Sequence, residues 1–170
     1  MKQALNGLLI VVSLMAIVSC DALFLTNVTV DFDYQKFNEE KALWNTLKPN
    51  NYQYNLEHWN DGFSMPVDTV IIVENGKYKT QIPHQGSDYD YESQFYLTIT
   101  DVYESIEREY KEYHNTKQSK ADAYLKKIEI KYDAGNHIPV EIKQYYYVSP
   151  ILADAASYGE TKITGYRVNN

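Results

Sequence analysis

Two segments of the chain repeat their apolar positions with the 3.6-residue period of an amphipathic helix. The first runs from Asp33 to Lys48 and ends before Pro49. The second begins at Thr98, with Asp101 at the position of a capping box, and the polar stretch 114–122 is expected to end it. The predicted apolar stripes are Tyr34, Phe37, Trp44 and Leu47 with Leu43 beside them, and Ile99, Val102, Tyr103, Ile106, Tyr110 and Tyr113.

Other segments alternate with the two-residue period of strands. Residues 52–58 place Tyr52, Tyr54, Leu56 and His58 on one face of a half-buried strand. In 67–82, the pair Asn75-Gly76 is typical of a type I′ hairpin turn. Counting outward from that turn predicts three cross-strand pairs, which are Glu74 with Lys77, Val73 with Tyr78 and Ile71 with Thr80.

A second hairpin is predicted over 128–148, with its turn near 133–139, and a last strand over 161–168. Val28, Val30 and Phe32 fit either a first strand or an extended tether. The order helix, strand, hairpin, helix, hairpin, strand favours an α+β fold. We expect an antiparallel or mixed sheet of about five to six strands, with two main helices packed on one face, in a single domain over 33–170.

The first 19 residues are typical of an export signal. Lys2 supplies positive charge, Leu8 to Val18 form an apolar stretch, and Ser19 is a small residue before Cys20. That stretch is shorter than the roughly 20 residues that a membrane-spanning helix needs. The sequence therefore predicts a signal peptide over 1–19, a tether over 20–32 and no other membrane span.

The four residues Ile17-Val18-Ser19-Cys20 resemble the lipobox of bacterial lipoproteins. The resemblance implies that the signal is cut between Ser19 and Cys20, and that the Cys20 thiol and the new amino terminus carry acyl chains. The membrane would then be one partner, through acylated Cys20, and the location would be the bacterial cell envelope. Asp21 leaves the choice between inner and outer membrane undecided. An ordinary signal peptide with a spare thiol at Cys20 is the alternative.

The charge of the chain argues against nucleic acid and anionic headgroups as main partners. Removing residues 1–19 takes away Lys2 among the 16 basic residues and none of the 23 acidic ones, which changes the net charge from -7 to -8. Both of those partners need basic patches. Because Cys20 is the single cysteine, the mature chain has no internal disulfide.

Four stretches in order resemble a widespread bacterial family of uncharacterised secreted proteins and lipoproteins. They are "ALWNTLKPNNYQY", "VIIVENGKY", "TITDVYESIEREY" and "IEIKYDAGNHIPVEI", within 40–148. The family has no assigned activity to carry over. Many members have two close cysteines after the first strand, and "NLEHWNDGFSMP" has none at that place.

The sequence matches catalytic and metal-binding motifs poorly, which gives little support to an enzymatic function. None of the four histidines, His58, His84, His114 and His137, lies in a Gly-x-Ser-x-Gly or His-Glu-x-x-His setting. The acidic run 88–92 lacks the later glycine and glutamate of a calcium-binding loop. We therefore expect no metal and no cofactor. The alternative function is an envelope hydrolase that uses Asp88, Asp90 or Glu92 with a histidine.

The seventeen tyrosines are more than one small core needs. Tyr145 and Tyr147 fall on the outward face of a predicted strand, and Tyr89 and Tyr91 lie in the acidic segment. A tyrosine combines a rigid apolar body with a polar tip, which suits protein interfaces and the stacking of sugar rings. The sequence therefore favours a binding or scaffolding module with an unknown protein or glycan partner. Tyrosines that another element covers are the alternative interpretation.

Overall fold

Two helices and eight strands form in the part of the chain that the computed structural model describes, which is 25–61, 63–83, 98–119, 122–150, 152 and 157–169. The predicted α+β fold class is confirmed. In chain order the elements are β1 (Leu25–Val28), α1 (Tyr34–Leu47), β2 (Tyr52–Asn60), β3 (Phe63–Glu74), β4 (Lys77–Pro83), α2 (Ile99–Tyr113), β5 (Thr116–Ser119), β6 (Tyr124–Tyr132), β7 (Pro139–Tyr147) and β8 (Tyr158–Val168).

Six of these strands form one antiparallel sheet in the order β4-β3-β2-β8-β7-β6. Each half is a meander of three consecutive strands, and the halves join where β2 pairs with β8. Strands β1 and β5 form a separate two-stranded sheet. β1 lies in the segment for which the sequence leaves a tether and a first strand open. β5 lies in the polar stretch that is expected to end the second helix. Val28 and Val30 are buried.

Both helices pack on the same face of the six-stranded sheet. Trp44 of α1 contacts Tyr52 of β2 edge-to-face, with ring centroids 5.7 Å apart. The ring of Tyr103 on α2 stacks on Tyr132 of β6 at 6.5 Å. The largest fully buried side chains are Trp44, Tyr54, Tyr103, Phe37, Leu56, Ile71, Ile99, Ile106, Leu125, Ile138, Ile142 and Ile163. The face of the sheet opposite to this core is called the outer face below.

The helices begin where side chains cap their free backbone N–H groups. Asp33 accepts a hydrogen bond from the N–H of Lys36, and Thr98 accepts one from the N–H of Asp101. The start of α2 confirms the prediction of Thr98 as its N-cap, and the Thr98 hydroxyl donates to the Asp101 carboxylate at 2.8 Å. Leu47, predicted on the buried stripe of α1, is 57% exposed. At about 100° per residue it lies roughly 80° around the helix from Phe37, at the margin of the stripe.

The first hairpin turns at Asn75-Gly76, with φ of 53° and 70°. Positive φ at both positions is what a type I′ turn requires. The predicted pairs Glu74 with Lys77 and Val73 with Tyr78 are confirmed. The third predicted pair is wrong, because Thr80 lies opposite Ile72 and Gln81 opposite Ile71. Lys79 is an extra residue in β4, a bulge that shifts the register by one.

Candidate functional site

The outer face carries the tyrosines that the alternation of β7 predicts to point away from the core. The hydroxyl of Tyr146 donates to the half-buried carboxylate of Glu109 on α2, so Tyr146 points toward the helices. Its neighbours Tyr145 and Tyr147 therefore point to the outer face. The structure thus places both residues where the alternation predicts. Tyr89 and Tyr91, like Ser19 and Cys20, lie outside the described residues.

Tyr145 and Tyr147 belong to a group of rings that we call the aromatic patch, formed by Trp59, Tyr145, Tyr147 and Tyr158. Tyr145 and Tyr158 are cross-strand partners on β7 and β8, with ring centroids 5.2 Å apart. Trp59 at the end of β2 lies 5.7 Å from Tyr158. At the margin of the patch, Tyr124 stacks on Tyr147 at 4.8 Å.

Exposure distinguishes the patch from the aromatic side chains of the core. Trp59 is 40% exposed, whereas Trp44, the other tryptophan, is 1% exposed. Tyr145, Tyr147 and Tyr158 are half-buried. The planes of neighbouring rings are inclined to each other by 55° and 52°, so the rings present edges as well as faces to the solvent.

Asp61 fixes the backbone beside the patch. Its Oδ1 accepts hydrogen bonds from the N–H groups of Ser157 at 2.7 Å and Tyr158 at 3.0 Å, and its Oδ2 accepts from the Ser157 hydroxyl. In return, the N–H of Asp61 donates to the carbonyl of Tyr158 at 3.1 Å. Burial opposes ionisation of this carboxyl, but the hydrogen bonds from Ser157 and Tyr158 outweigh it and lower its pKa. The ionised carboxylate thus holds the start of β8 against the end of β2.

Alternating charges surround the patch on the outer face. Lys127 pairs with Glu129 at 2.6 Å and lies 5.9 Å over the ring of Tyr145. The hydroxyl of Tyr145 donates to Glu129 at 3.0 Å. One strand further, Lys143 lies 3.8 Å from Glu160.

The same pattern of charges continues along the sheet. Glu141 lies between Lys131 and Lys143, whose hydrogen bonds lower its pKa to about 2. Lys162 in turn lies 3.5 Å from Glu160. The charges of this surface therefore largely neutralise one another.

The described histidines have structural contacts. His58 Nδ1 lies 2.9 Å from the Thr161 hydroxyl, and burial lowers the pKa of its ring. His114 Nδ1 accepts from the N–H of Val30 at 3.2 Å, and its ring stacks on Tyr110. His137 Nδ1 lies 2.8 Å from a carboxylate oxygen of Glu40 on α1. Each of these rings thus links two segments that are far apart in the sequence.

The hydrolase alternative depends on residues that the structure does not describe. Asp88, Asp90, Glu92 and His84 all lie outside the described residues. Within the described part of the chain, no group of three or more His, Cys, Asp or Glu side chains is arranged to hold a metal ion. The described histidines therefore add no observation in favour of this alternative.

Sequence reasoning missed two of the four residues in the patch. Trp59 is the next outward position after Glu57 in the alternation of β2, so extending that pattern by two residues finds it. Tyr158 begins a strand whose first residues follow an ambiguous alanine-rich stretch, and its partner strand is not evident from local pattern. The patch forms because β2, β8 and β7 are neighbours in the sheet.

Comparisons with protein-family models, with curated proteins and with solved structures found no match to this chain. Neither described helix is long and apolar enough to cross a membrane. The interpretation of the site therefore depends on its own geometry.

Proposed function

We propose that this chain is a lipid-anchored protein of the bacterial cell envelope whose α+β domain binds a partner through the aromatic patch. The anchoring part depends on the lipobox-like residues that end at Cys20. The binding part depends on one observation, the row of contacting rings at Trp59, Tyr158 and Tyr145 on the outer face. Apolar rings gathered on a solvent-facing sheet are typical of binding surfaces.

Two features of the patch support binding rather than a purely structural role. The core on the other face already contains large side chains such as Trp44 and Tyr103, so the outer rings are not needed to fill it. Asp61 also holds Tyr158 in place through backbone hydrogen bonds. A surface that is ordered before its partner arrives loses less conformational entropy on binding.

Photo-crosslinking in intact cells tests the binding proposal. A photoreactive aromatic amino acid in place of Tyr145 should give a discrete adduct, because a bound partner lies within reach of that ring. The matched control replaces Tyr78, a 37% exposed tyrosine on β4 at the edge of the sheet. Equal labelling from both positions, or no adduct from Tyr145, contradicts the proposal. Mass spectrometry of the adduct distinguishes peptide from carbohydrate.

A further inference from the structure

The charges beside the aromatic patch restrict the chemistry of its ligand. Two lysines and two glutamates lie beside the rings, paired as Lys127 with Glu129 and Lys143 with Glu160, and the Asp61 carboxylate is engaged by hydrogen bonds from Ser157 and Tyr158. A charged ligand is recognised by opposite charge that the protein leaves uncompensated. The pairing leaves no such excess of either sign at these four positions, so an uncharged ligand fits this surface best.

The size of the patch restricts the ligand further. With Trp59 40% exposed and three tyrosines half-buried, the rings offer on the order of 300 Å². A stable protein interface covers roughly 800 Å² on each partner. A protein of that footprint would also cover ion pairs such as Glu141 with Lys143, whose desolvation is costly. A narrow chain that follows the rings avoids this cost.

We propose that the aromatic patch binds an uncharged saccharide chain, an inference that rests on the proposed function. The C–H faces of the sugar rings pack on Trp59 and Tyr158, which supply the apolar surface. The sugar hydroxyls find donors and acceptors at the margin, where Lys143 and Glu160 lie beside the rings. The row from Trp59 to Tyr145 crosses three adjacent strands, β2, β8 and β7, with neighbouring centroids 5.7 and 5.2 Å apart, and so offers a stacking surface to more than one successive sugar unit.

Affinity electrophoresis of the full-length protein tests this inference. The protein is extracted in a polyoxyethylene detergent, which carries no sugar, and run through native gels that contain one polymer each. The probes are glucomannan, amylopectin, hydroxyethylcellulose and xylan, with polygalacturonate as the charged comparison. We expect at least one uncharged polymer to retard the protein, and polygalacturonate to leave its mobility unchanged.

Three variants test whether the aromatic patch is the surface that causes the retardation. Trp59→Ala should weaken the retardation about tenfold or more, because it removes the most exposed ring. Trp59→Phe keeps a ring and should retain most of the effect. Tyr78→Ala, at a tyrosine of similar exposure away from the patch, should leave it unchanged. Thermal unfolding by circular dichroism checks that each variant is folded.

The outcomes separate this inference from the proposed function. Retardation by none of the uncharged polymers, or equal retardation of wild type and Trp59→Ala, overturns the saccharide assignment. If the photoreactive group at Tyr145 then still gives a peptide adduct in cells, the patch binds a protein and the proposed function stands. If that adduct is absent as well, the patch is not a binding surface.

Discussion

At the scale of single residues, Glu109 is a half-buried acid that links a helix to the sheet. Its carboxylate accepts hydrogen bonds from the Gln144 amide and the Tyr146 hydroxyl. Burial raises its pKa above the ordinary value of 4.5 and outweighs these hydrogen bonds, which lower it. The neighbouring Glu112 raises the pKa further, and Arg108 opposes that effect. The protein therefore holds this acid more easily in its protonated form.

Glu109→Gln should remove one component of the pH dependence of stability. Because the folded-state pKa is raised, the contribution of Glu109 is full below about pH 4.5 and is lost as the pH rises through the raised pKa. Urea unfolding at a series of pH values should show the wild type losing stability relative to Glu109→Gln over that interval. Glu104→Gln, at an exposed position of α2 and outside the groups that shift the pKa of Glu109, is the control. Parallel profiles for wild type and Glu109→Gln would contradict the assignment.

Gly165 is the residue at which the backbone of β8 requires glycine. It has a φ of +59°, and a Cβ built there would lie 3.0 Å from the amide nitrogen of Asn55. It lies in a stretch of β8 where the register with β2 shifts between Gln53 and Asn55. A bulge with glycine in the left-handed region explains both observations.

Gly165→Ala should therefore lower the free energy of unfolding by about 1–3 kcal/mol, from backbone strain and crowding together. Gly159→Ala is the matched control in the same strand. A Cβ at Gly159 would meet its nearest neighbours at an ordinary 3.9 Å, and this variant should stay within about 0.5 kcal/mol of wild type. Chemical denaturation of wild type and the two variants measures these free energies of unfolding. Similar losses in both would mean that conformation at Gly165 is not the cause.

At the scale of elements, α1 and α2 are joined by a group of polar contacts around Glu107. Its Oε2 contacts Lys41 of α1 at 2.5 Å, and its Oε1 contacts Lys111, one turn further along α2, at 2.5 Å. The Tyr34 hydroxyl donates to the same Oε1 at 3.0 Å. Hydrogen bonds from Lys111 and Lys41 lower the pKa of Glu107 to about 2.

Glu107→Gln should destabilise the protein by about 1–2 kcal/mol at pH 7, since it weakens several charge-assisted hydrogen bonds at once. A lowered folded-state pKa contributes stability above the ordinary value of 4.5, and this contribution is lost as the pH falls toward about 2. The difference between wild type and variant should therefore close over that interval in acid unfolding. Glu104→Gln, exposed on α2, should show no such difference. A constant difference down to pH 2 would contradict this account.

The elements themselves were largely predictable, because each depends on local pattern. Apolar spacing predicted both helices, and Asn75-Gly76 predicted the first hairpin turn. Strands β1 and β5 were harder, since β5 is the polar tetrapeptide 116–119 and shows no apolar alternation. The bulge at Lys79 was missed because counting outward from a turn assumes an uninterrupted register.

At the scale of the whole molecule, the sequence predicts which residues share a strand face but not which strands are neighbours. The outward positions of Tyr145 and Tyr147 followed from alternation within β7. That Trp59 joins them depends on the pairing of β2 with β8, which lie about a hundred residues apart. Periodicity carries no information about such a pairing, since many strand orders bury the same apolar faces. The candidate site could therefore be predicted only in part.

The proposed anchor would determine how far the domain lies from the membrane. Strand β1 begins at Leu25, five residues after Cys20, so even a fully extended chain spans at most about 18 Å between them. If Cys20 is acylated, the start of β1 lies within that distance of the membrane surface. The domain would then meet its partner close to the bilayer.

Cys20→Ala should release the domain from the membrane fraction or leave its precursor uncut. Each buried CH₂ of an acyl chain contributes roughly 0.8 kcal/mol, and stable attachment needs more than one chain, all of which this substitution removes. Fractionation of cells and incorporation of labelled palmitate measure the two effects. Ser19→Ala keeps a small residue before the cysteine and should be processed and anchored like wild type. If membrane attachment and labelling survive in Cys20→Ala, the lipoprotein assignment is refuted. The binding proposal for the aromatic patch would then still be tested separately, by the crosslinks from Tyr145.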